Sequence, residues 1–243
     1  NVTLNPNLHY SSNSGSSLDR SMQSFSDNLT DESLDTIFSP DVSPAKLAGI
    51  INRVSEESKR DGYYLSAGMT AQAAIKLPHT NDNFLIEARG NFVDTRHDNF
   101  AHKLYDYPQG GASADLRNEY GKEDYRSHSA TAKASYYYCG IGRNWLFSPS
   151  YEYTTDHTRQ NYGLYRLDYL ANDADDWPEL GVLPSVTDWL TQTFDPEHSK
   201  YSTLRNDYHV VALNINRNEY KNSTWSFGLN LPLSIDRNRL DYN

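Results

Sequence analysis

The sequence predicts an all-β fold, an antiparallel up-and-down meander of about seven strands with one short helix in a loop. Apolar and polar residues alternate with a period of two in most of the chain, as in strands whose two faces meet different surroundings. Short and long connections between these runs also alternate, which is typical of a meander. Aromatic residues form 13% of the 243 residues, with 19 Tyr and 4 Trp, more large apolar surface than disordered chains carry.

The first three strands are predicted near residues 1–10, 64–77 and 83–95. In the first run the apolar residues occupy the even positions, and Asn, Thr and His occupy the odd ones. In the second run the odd positions are apolar, and in the third the even positions are. Each run therefore has one apolar and one polar face.

Four more strands are predicted near residues 127–139, 145–157, 204–217 and 223–237. The apolar residues lie at even positions in the first of these and at odd positions in the other three. The run at 204–217 is the weakest, and the run at 223–237 is the most regular. One face of the predicted sheet is thus apolar in every strand.

The connections predict a sheet whose two ends differ. The links after the second, fourth and sixth strands are short and rich in Asn, Gly or Asp, as tight hairpins require. Long loops are predicted at 11–62, 97–125 and 159–203. Residues 11–60, 97–125 and 159–203 contain 22 of the chain's 32 acidic residues and 11 of its 22 basic residues. The net charge of -10 therefore belongs to one end of the sheet.

Two local features interrupt the strand pattern. Ser43 and Pro44, followed by apolar residues as far as Val54, predict a capped amphipathic helix in the first long loop. Pro149 and Pro232 lie inside predicted strands and predict bulges, because proline cannot donate to a sheet ladder.

The composition excludes several classes of protein and site. No stretch approaches the roughly 20 apolar residues of a spanning helix, and the mean hydropathy is -0.78. The single cysteine, Cys139, excludes an intramolecular disulfide and a cysteine-built zinc site. The acidic net charge argues against nucleic acid as a partner. With no HExxH pair and no nucleophile or phosphate-loop motif, we predict no enzymatic activity and no cofactor.

Three interpretations of the meander compete: a soluble β-sandwich, a small soluble barrel and a transmembrane β-barrel. The apolar faces contain long runs of Ala, which suit contact with lipid and fill a protein core poorly. The opposite faces carry charges such as Glu87, Arg89 and Lys133. Aromatic residues concentrate near strand ends, as in the girdles of membrane barrels. These observations favour the transmembrane barrel, and the sandwich stays as the alternative.

Several phrases of the sequence resemble the barrel portion of outer-membrane proteins of the TonB-dependent receptor type. They are YRLD at 165–168, WPELGVLPS at 177–185, DPEHS at 195–199, RNDYH at 205–209 and LPLSIDRNRLDY at 231–242. The resemblance spans most of the chain and includes no catalytic signature. It implies a barrel of about 22 strands, of which residues 1–243 form an internal part.

The resemblance also implies a location and partners. The location is the cell outer membrane of a Gram-negative bacterium, where the parent barrel takes up a nutrient. The partners are membrane lipid, the rest of the barrel with its plug, a surface lipoprotein and an inner-membrane energy-coupling protein. The alternative function is that of a secreted β-sandwich binding module that recognises a glycan or a protein.

Candidate ligand-binding residues follow from the polar face of the predicted strands. In a barrel that face lines the lumen, and its residues tune selectivity. The candidates are Glu87, Arg89, Asn91, Lys133 and Glu152. A weak candidate for a metal site is the acidic loop with Asp173, Asp175 and Asp176, which lacks the glycine and distal glutamate of an EF-hand.

Overall fold

In the computed structural model, the strands form one antiparallel sheet in which each of the first six strands pairs with the next along the chain. The structure describes residues 1–25, 34–78, 80, 82–110, 113–138, 145–171, 176–217, 229–230 and 233–242. The predicted all-β, up-and-down meander is confirmed. The described strands do not close the sheet into a ring.

The sheet has seven strand positions, the last occupied by two segments. The strands are β1 Val2–Ser24, β2 Ile50–Lys76, β3 Asn83–Asp106, β4 Asp115–Tyr137, β5 Trp145–Arg166, β6 Phe194–Arg217, β7 Leu229–Asn230 and β8 Leu233–Tyr242. Both β7 and β8 pair with β6, at different heights. The predicted link after the sixth strand, with Trp225 and Phe227 beyond it, lies outside the described residues.

The helices are short. They are α1 Leu34–Ile37, α2 Pro44–Leu47, a 3₁₀ helix Leu167–Leu170 and α3 Trp189–Thr193. No helix in the described ranges has the length and apolar character needed to cross a membrane.

The strands are much longer than predicted, and the predicted loops 11–62, 97–125 and 159–203 are wrong over most of their length. From β1 to β6 each strand contains between 22 and 27 residues. Beyond the alternating part both faces are polar, so the period of two disappears from the hydropathy while the backbone stays extended and paired. The connections shorten to 25–49, 107–114 and 167–193.

The two local predictions fare differently. A helix does begin at Pro44, but it ends at Leu47, and Ser43 makes no side-chain cap. The expected bulge at Pro149 is wrong, because the β5–β6 register is continuous there. The β4–β5 ladder is interrupted after the Ser135–Ser150 pair, next to Pro149, and a bridge between Tyr138 and Phe147 continues the same register beyond it. Pro232 lies outside the described residues.

The register assigns every strand residue to one of two faces. Ile86 pairs with Ala134, and Glu87 pairs with Lys133, so these pairs lie on opposite sides of the sheet. We refer to the Ile86 face and the Glu87 face. The end of the sheet at the link between β2 and β3 is called proximal, and the opposite end is called distal.

The proximal half of the Ile86 face is an apolar band without a covering layer among the described residues. Val2, Leu8 and Met69 are 74%, 75% and 54% exposed. The band consists of Val2, Leu4, Leu8, Tyr10, Leu65, Met69, Ala71, Ile75, Phe84, Ile86, Phe92, Ala130, Ala132, Ala134, Phe147, Tyr151, Tyr153, Val211, Leu213 and Ile215. Contiguous exposed apolar surface of this extent marks an interaction surface.

The buried core lies at the distal end instead, also on the Ile86 face. The buried side chains of Phe100, Tyr120 and Leu167 pack with the partly buried Leu180 and Trp189. The connection 167–193 thus folds down onto β3 and β4. We call this connection the distal cap. Aromatic contacts supply much of its packing, with ring centroids of Phe100 and Tyr120 at 4.9 Å.

Two further features accompany the packing of the distal cap. The Tyr120 hydroxyl donates a hydrogen bond to Asp98 on the neighbouring strand. Burial raises the pKa of Tyr120, and this hydrogen bond raises it further. Gly181 has φ of 88°, and a Cβ there would lie 2.5 Å from Lys59 Cδ. Only glycine suits both the left-handed backbone and this close approach.

A second, smaller contact closes the connection between β1 and β2. Ile37 and Ile50 are fully buried. Arg53 Nε donates to Asp106 Oδ2 at 2.7 Å and its terminal nitrogen donates to the Ile37 carbonyl at 2.6 Å. Arg53 also stacks over the Phe38 ring at 5.9 Å. The predicted amphipathic helix is therefore only one turn long, and aromatic and guanidinium contacts supply most of the packing of this connection.

Replacing Leu167 with alanine is expected to loosen the distal cap. Leu167 is 1% exposed, and such Leu→Ala changes cost about 2–5 kcal/mol through lost burial and the cavity left behind. Limited proteolysis within residues 176–193 should become faster by the factor to which this loss of free energy corresponds. Leu183→Ala is the matched control, because Leu183 is 44% exposed. Equal cleavage rates in the two variants would contradict the packing described.

Candidate functional site

The proximal half of the Glu87 face carries a ladder of polar and charged side chains across four strands. The register places Gln72, Glu87, Lys133 and Glu152 in one row, on β2, β3, β4 and β5. Gln72 Nε2 donates to Glu87 Oε1 at 3.3 Å. Lys133 Nζ lies 3.6 Å from Glu152 Oε2. Signs alternate along the row, so each charge has an opposite charge beside it.

The neighbouring row completes a shallow depression in this face. Arg89 pairs with Thr131, and Thr131 pairs with Thr154, with the two threonine hydroxyls 3.1 Å apart. The depression has a volume of about 260 Å³ and is lined by Glu87, Arg89, Thr131, Lys133 and Glu152. Four of the five predicted binding residues therefore come together. We call this group the central ladder.

Asn91, the fifth candidate, lies one row farther toward the distal end. It pairs with Gly68 on one side and Ser129 on the other. A Cβ at Gly68 would lie 2.4 Å from Asn7 Oδ1 and 2.9 Å from Asn91 Oδ1. Gly68 thus leaves room for two amide side chains that approach over its backbone.

The central ladder suits reversible contact with a polar or ionic ligand. The side chains of Lys133 and Glu152 are 38% and 37% exposed, so water reaches both partners. Exposed ion pairs of this kind contribute about 0–1 kcal/mol to stability. Their charges are thus available to a ligand without a large penalty for the fold.

A second polar cavity, which sequence reasoning missed, lies at the distal end of the Glu87 face. It has a volume of about 290 Å³. Its lining includes Lys103, Arg117, Glu119, Tyr162 and Arg166. These residues were predicted to lie in loops or outside any site, although the structure places them in β3, β4 and β5. We call this group the distal charge cluster.

Glu119 is the centre of the distal charge cluster. It is 6% exposed, and its carboxylate lies 2.8 Å from Lys103 Nζ and 3.8 Å from Arg117. Burial opposes the charge of Lys103, but the hydrogen bond and attraction from Glu119 outweigh burial and raise the pKa of Lys103. The buried carboxylate of Glu119 therefore stabilises the charged form of Lys103.

The other cations of the cluster are each held by an aspartate two residues away. Arg117 contacts Asp115 at 2.7 Å, and Arg166 contacts Asp168 at 2.7 Å. The hydrogen bond that Arg117 donates to Asp115 lowers the pKa of Asp115. The hydrogen bonds that Arg166 donates to Asp168 raise the pKa of Arg166. Residues i and i+2 share one face of a strand, so these pairs form within a single strand or at its end.

The predicted metal site gains no support from the described part of the chain. Asp173 and Asp175 lie outside the described residues, and Asp176 comes just after them. Among the described residues no group of three or more His, Cys, Asp or Glu side chains has the arrangement of a metal site.

No protein-family model, curated protein or solved structure matches the chain.

Replacing Glu119 with glutamine is expected to destabilise the distal half of the sheet. Lys103 would keep its partly buried charge without a carboxylate partner, which costs about 1–3 kcal/mol. Amide hydrogen exchange at residues 98–106 and 115–124 should accelerate accordingly. Glu123→Gln is the control, because Glu123 lies on the same strand and face and is 38% exposed.

The same pair predicts a pH dependence. Because the pKa of Lys103 is raised in the folded chain, its stabilising effect is complete below about pH 10, the usual lysine value. It is lost as the pH rises through the raised pKa. Glu119→Gln should remove this loss, and an unchanged pH profile would contradict the role assigned to the pair.

Proposed function

We propose that the chain is part of an outer-membrane β-barrel transporter or receptor of the TonB-dependent type, which takes up a nutrient across the outer membrane. The observation that carries this proposal is that the exposed apolar band lies on one face of the sheet and the central ladder lies on the opposite face, in the same strands. In a membrane barrel the apolar side of each strand meets lipid and the polar side lines a wet lumen. A soluble protein would have to cover the band.

The slope of the apolar band supports the same conclusion. On β1 the distal border of the band is Tyr10, and successive cross-strand pairs connect Tyr10 to Asp94 on β3. On β6 the border is Val211, and successive pairs connect it to Ile86 on β3, eight residues nearer the proximal end. The border thus shifts by about 1.6 residues per strand, which corresponds to a strand tilt of roughly 45–50° for usual strand dimensions. Strands of membrane barrels tilt by about 35–45°.

Aromatic side chains at both borders of the band also support the proposal. At the proximal border the rings of Trp145 and Phe147 stack at 6.1 Å. At the distal border Tyr10 and Tyr63 stack at 6.5 Å, and Tyr153 lies 4.8 Å from His209. Tyr and Trp prefer the level of lipid headgroups, where one end of the ring is apolar and the other is wet.

The open edges of the sheet indicate what the rest of the barrel would do. Among the described strands β1 pairs only with β2, and β8 pairs only with β6. Within lipid an unpaired edge is costly, so membrane strands occur in closed barrels. We propose that further strands of the same protein pair with both edges and that a plug fills the lumen.

Cell fractionation tests the proposal. The natural protein should sediment with the outer membrane, resist extraction by alkaline carbonate and dissolve only in detergent. Recovery as a soluble monomer without detergent would refute membrane insertion and support the secreted β-sandwich binding module instead.

A pair of adjacent substitutions tests which face meets lipid. Ala132 is exposed on the Ile86 face, and Thr131 lies on the Glu87 face. Ala132→Arg should weaken insertion into phospholipid vesicles by about 2–4 kcal/mol, the cost of arginine near the bilayer centre. Thr131→Arg should insert normally, because its side chain enters a wet lumen. Equal insertion of both variants would contradict the proposal.

The central ladder provides a test of transport itself. Lys133→Gln and Arg89→Gln should change nutrient uptake several-fold while the amount of protein in the membrane stays constant, because lumen charges tune selectivity. Arg60→Gln on the same face, outside the central ladder, is the control. Uptake unchanged in both ladder variants would rule out a role for the ladder in transport.

A further inference from the structure

We propose that a belt of arginines on the Ile86 face binds the phosphate groups of membrane lipid, with the acyl chains lying on the apolar band below. This inference rests on the proposed membrane function. The register places the belt along the distal border of the band. Its members are Arg96, Arg126, Arg159, Arg205, Arg237 and Arg239.

The belt follows the slope of the band. Arg96 on β3 and Arg126 on β4 each lie four residues beyond the last apolar residue of the band on their strand. Arg159 on β5 and Arg205 on β6 lie six residues beyond theirs. Four residues correspond to about 13 Å along a strand, or about 9 Å along the membrane normal at the tilt given above. This is the level of the headgroups outside a hydrocarbon core of about 30 Å. Arginine side chains also reach back toward the headgroups from such positions.

Arg126 and Arg205 are exposed and their carboxylate partners lie deeper, whereas Arg96 is partly buried and bound to Asp98 through Nε and a terminal nitrogen. Arg126 is 63% exposed and its partner Asp94 only 18%, with 3.1 Å between them. Arg205 is 60% exposed and Asp207 only 19%, also at 3.1 Å. Each of these two ion pairs uses Nε. Within the described part of the chain, the two terminal nitrogens of these guanidinium groups remain for a second acceptor.

Arg159 has a neutral partner instead of a carboxylate. With the Asn161 amide oriented to satisfy its neighbours, the amide oxygen accepts hydrogen bonds from Arg159 Nε at 3.0 Å and from a terminal nitrogen at 3.1 Å. Arg159 is exposed, and it makes no ion pair with the described residues. Its positive charge is therefore not neutralised by these neighbours, although this end of the sheet is acidic overall.

Three of these arginines converge on one groove. The groove has a volume of about 290 Å³, and its lining is Tyr63, Asp94, Arg96, Asp124, Arg126, Arg159 and Asn161. Asp124 is an unfavourable neighbour for an anion, but Lys122 Nζ lies 3.5 Å from its carboxylate. Guanidinium groups bind phosphate oxygens through two parallel hydrogen bonds. A phosphate monoester in this groove would lie between Arg126 and Arg159, whose positions pair across β4 and β5.

A lipid fits better than a soluble anion, because the groove opens at the border of the apolar band. Phosphate contacts and the burial of acyl chains contribute to the same binding free energy only when the phosphate and the acyl chains belong to one molecule. The distal cap lies on the other side of the groove. A headgroup would thus sit between the band and the cap.

Lipid titration of the complete chain in non-ionic detergent micelles tests the inference. The probes are phosphatidic acid, phosphatidylcholine with the same acyl chains, and inorganic phosphate, at low salt. The variant R126Q/R159Q removes two charges from the groove, and the control R60Q/K76Q removes two from the Glu87 face. Wild type and control should bind phosphatidic acid at least about tenfold more tightly than R126Q/R159Q, the factor expected for one charge-assisted hydrogen bond.

Three results would overturn the inference: equal affinity of R126Q/R159Q and wild type for phosphatidic acid, equal affinity of wild type for phosphatidylcholine, or inorganic phosphate binding as tightly as the lipid. Arg159→Gln alone keeps the test informative if the double variant fails to fold, since Arg159 is exposed. A chain that inserts into vesicles but shows one of these results refutes the belt only. A chain that stays soluble without detergent refutes the membrane function first.

Discussion

The continuous antiparallel register from β2 to β5 is the constraint on which the other features depend. No bulge interrupts the ladders between these four strands, so a residue's parity fixes its face from one end of a strand to the other. A shift of one residue would move Glu87 and Lys133 onto the face that carries the apolar band and Ile86 onto the opposite face. The apolar band, the central ladder and the arginine belt all follow from this one alignment.

The two halves of the sheet are stabilised by different physics. The proximal half has an uncovered apolar face, and the proposed lipid supplies what a protein core supplies elsewhere. The distal half is mostly polar and relies on the backbone ladder, on ion pairs such as Lys103 with Glu119, and on the small core beneath the distal cap. Water beside the strands there is tolerable because the backbone groups between paired strands already have partners.

The part of the fold that could be predicted is the part where the two faces differ. Alternation revealed the proximal half of each strand and put Glu87, Arg89, Lys133 and Glu152 on one face. It failed from Arg96 to Asp106 on β3, where polar residues dominate both faces and hydropathy has no clear period. Glu119 and its partners were missed for that reason.

A different signal was present in those stretches. Oppositely charged residues repeat at i and i+2, as in Arg96 with Asp98 and Arg166 with Asp168, and the structure joins each pair. In a helix such residues diverge, whereas in a strand they share a face. Charge at a spacing of two thus marks an extended chain where hydropathy does not. The opposite edges of the sheet could not be placed, because their partners depend on residues far away in sequence.

The distal cap has a mechanical consequence in the proposed setting. Its Leu180 and Trp189 side chains pack on the same side as the apolar band, whereas Asp168 at its start contacts Arg166 on the Glu87 face. In the proposed barrel, the packed part of the cap therefore forms a ledge on the outer side, above the headgroups. Such a ledge would fix the depth of the strands in the bilayer, since sinking deeper would push Trp189, Leu180 and their polar surroundings into hydrocarbon.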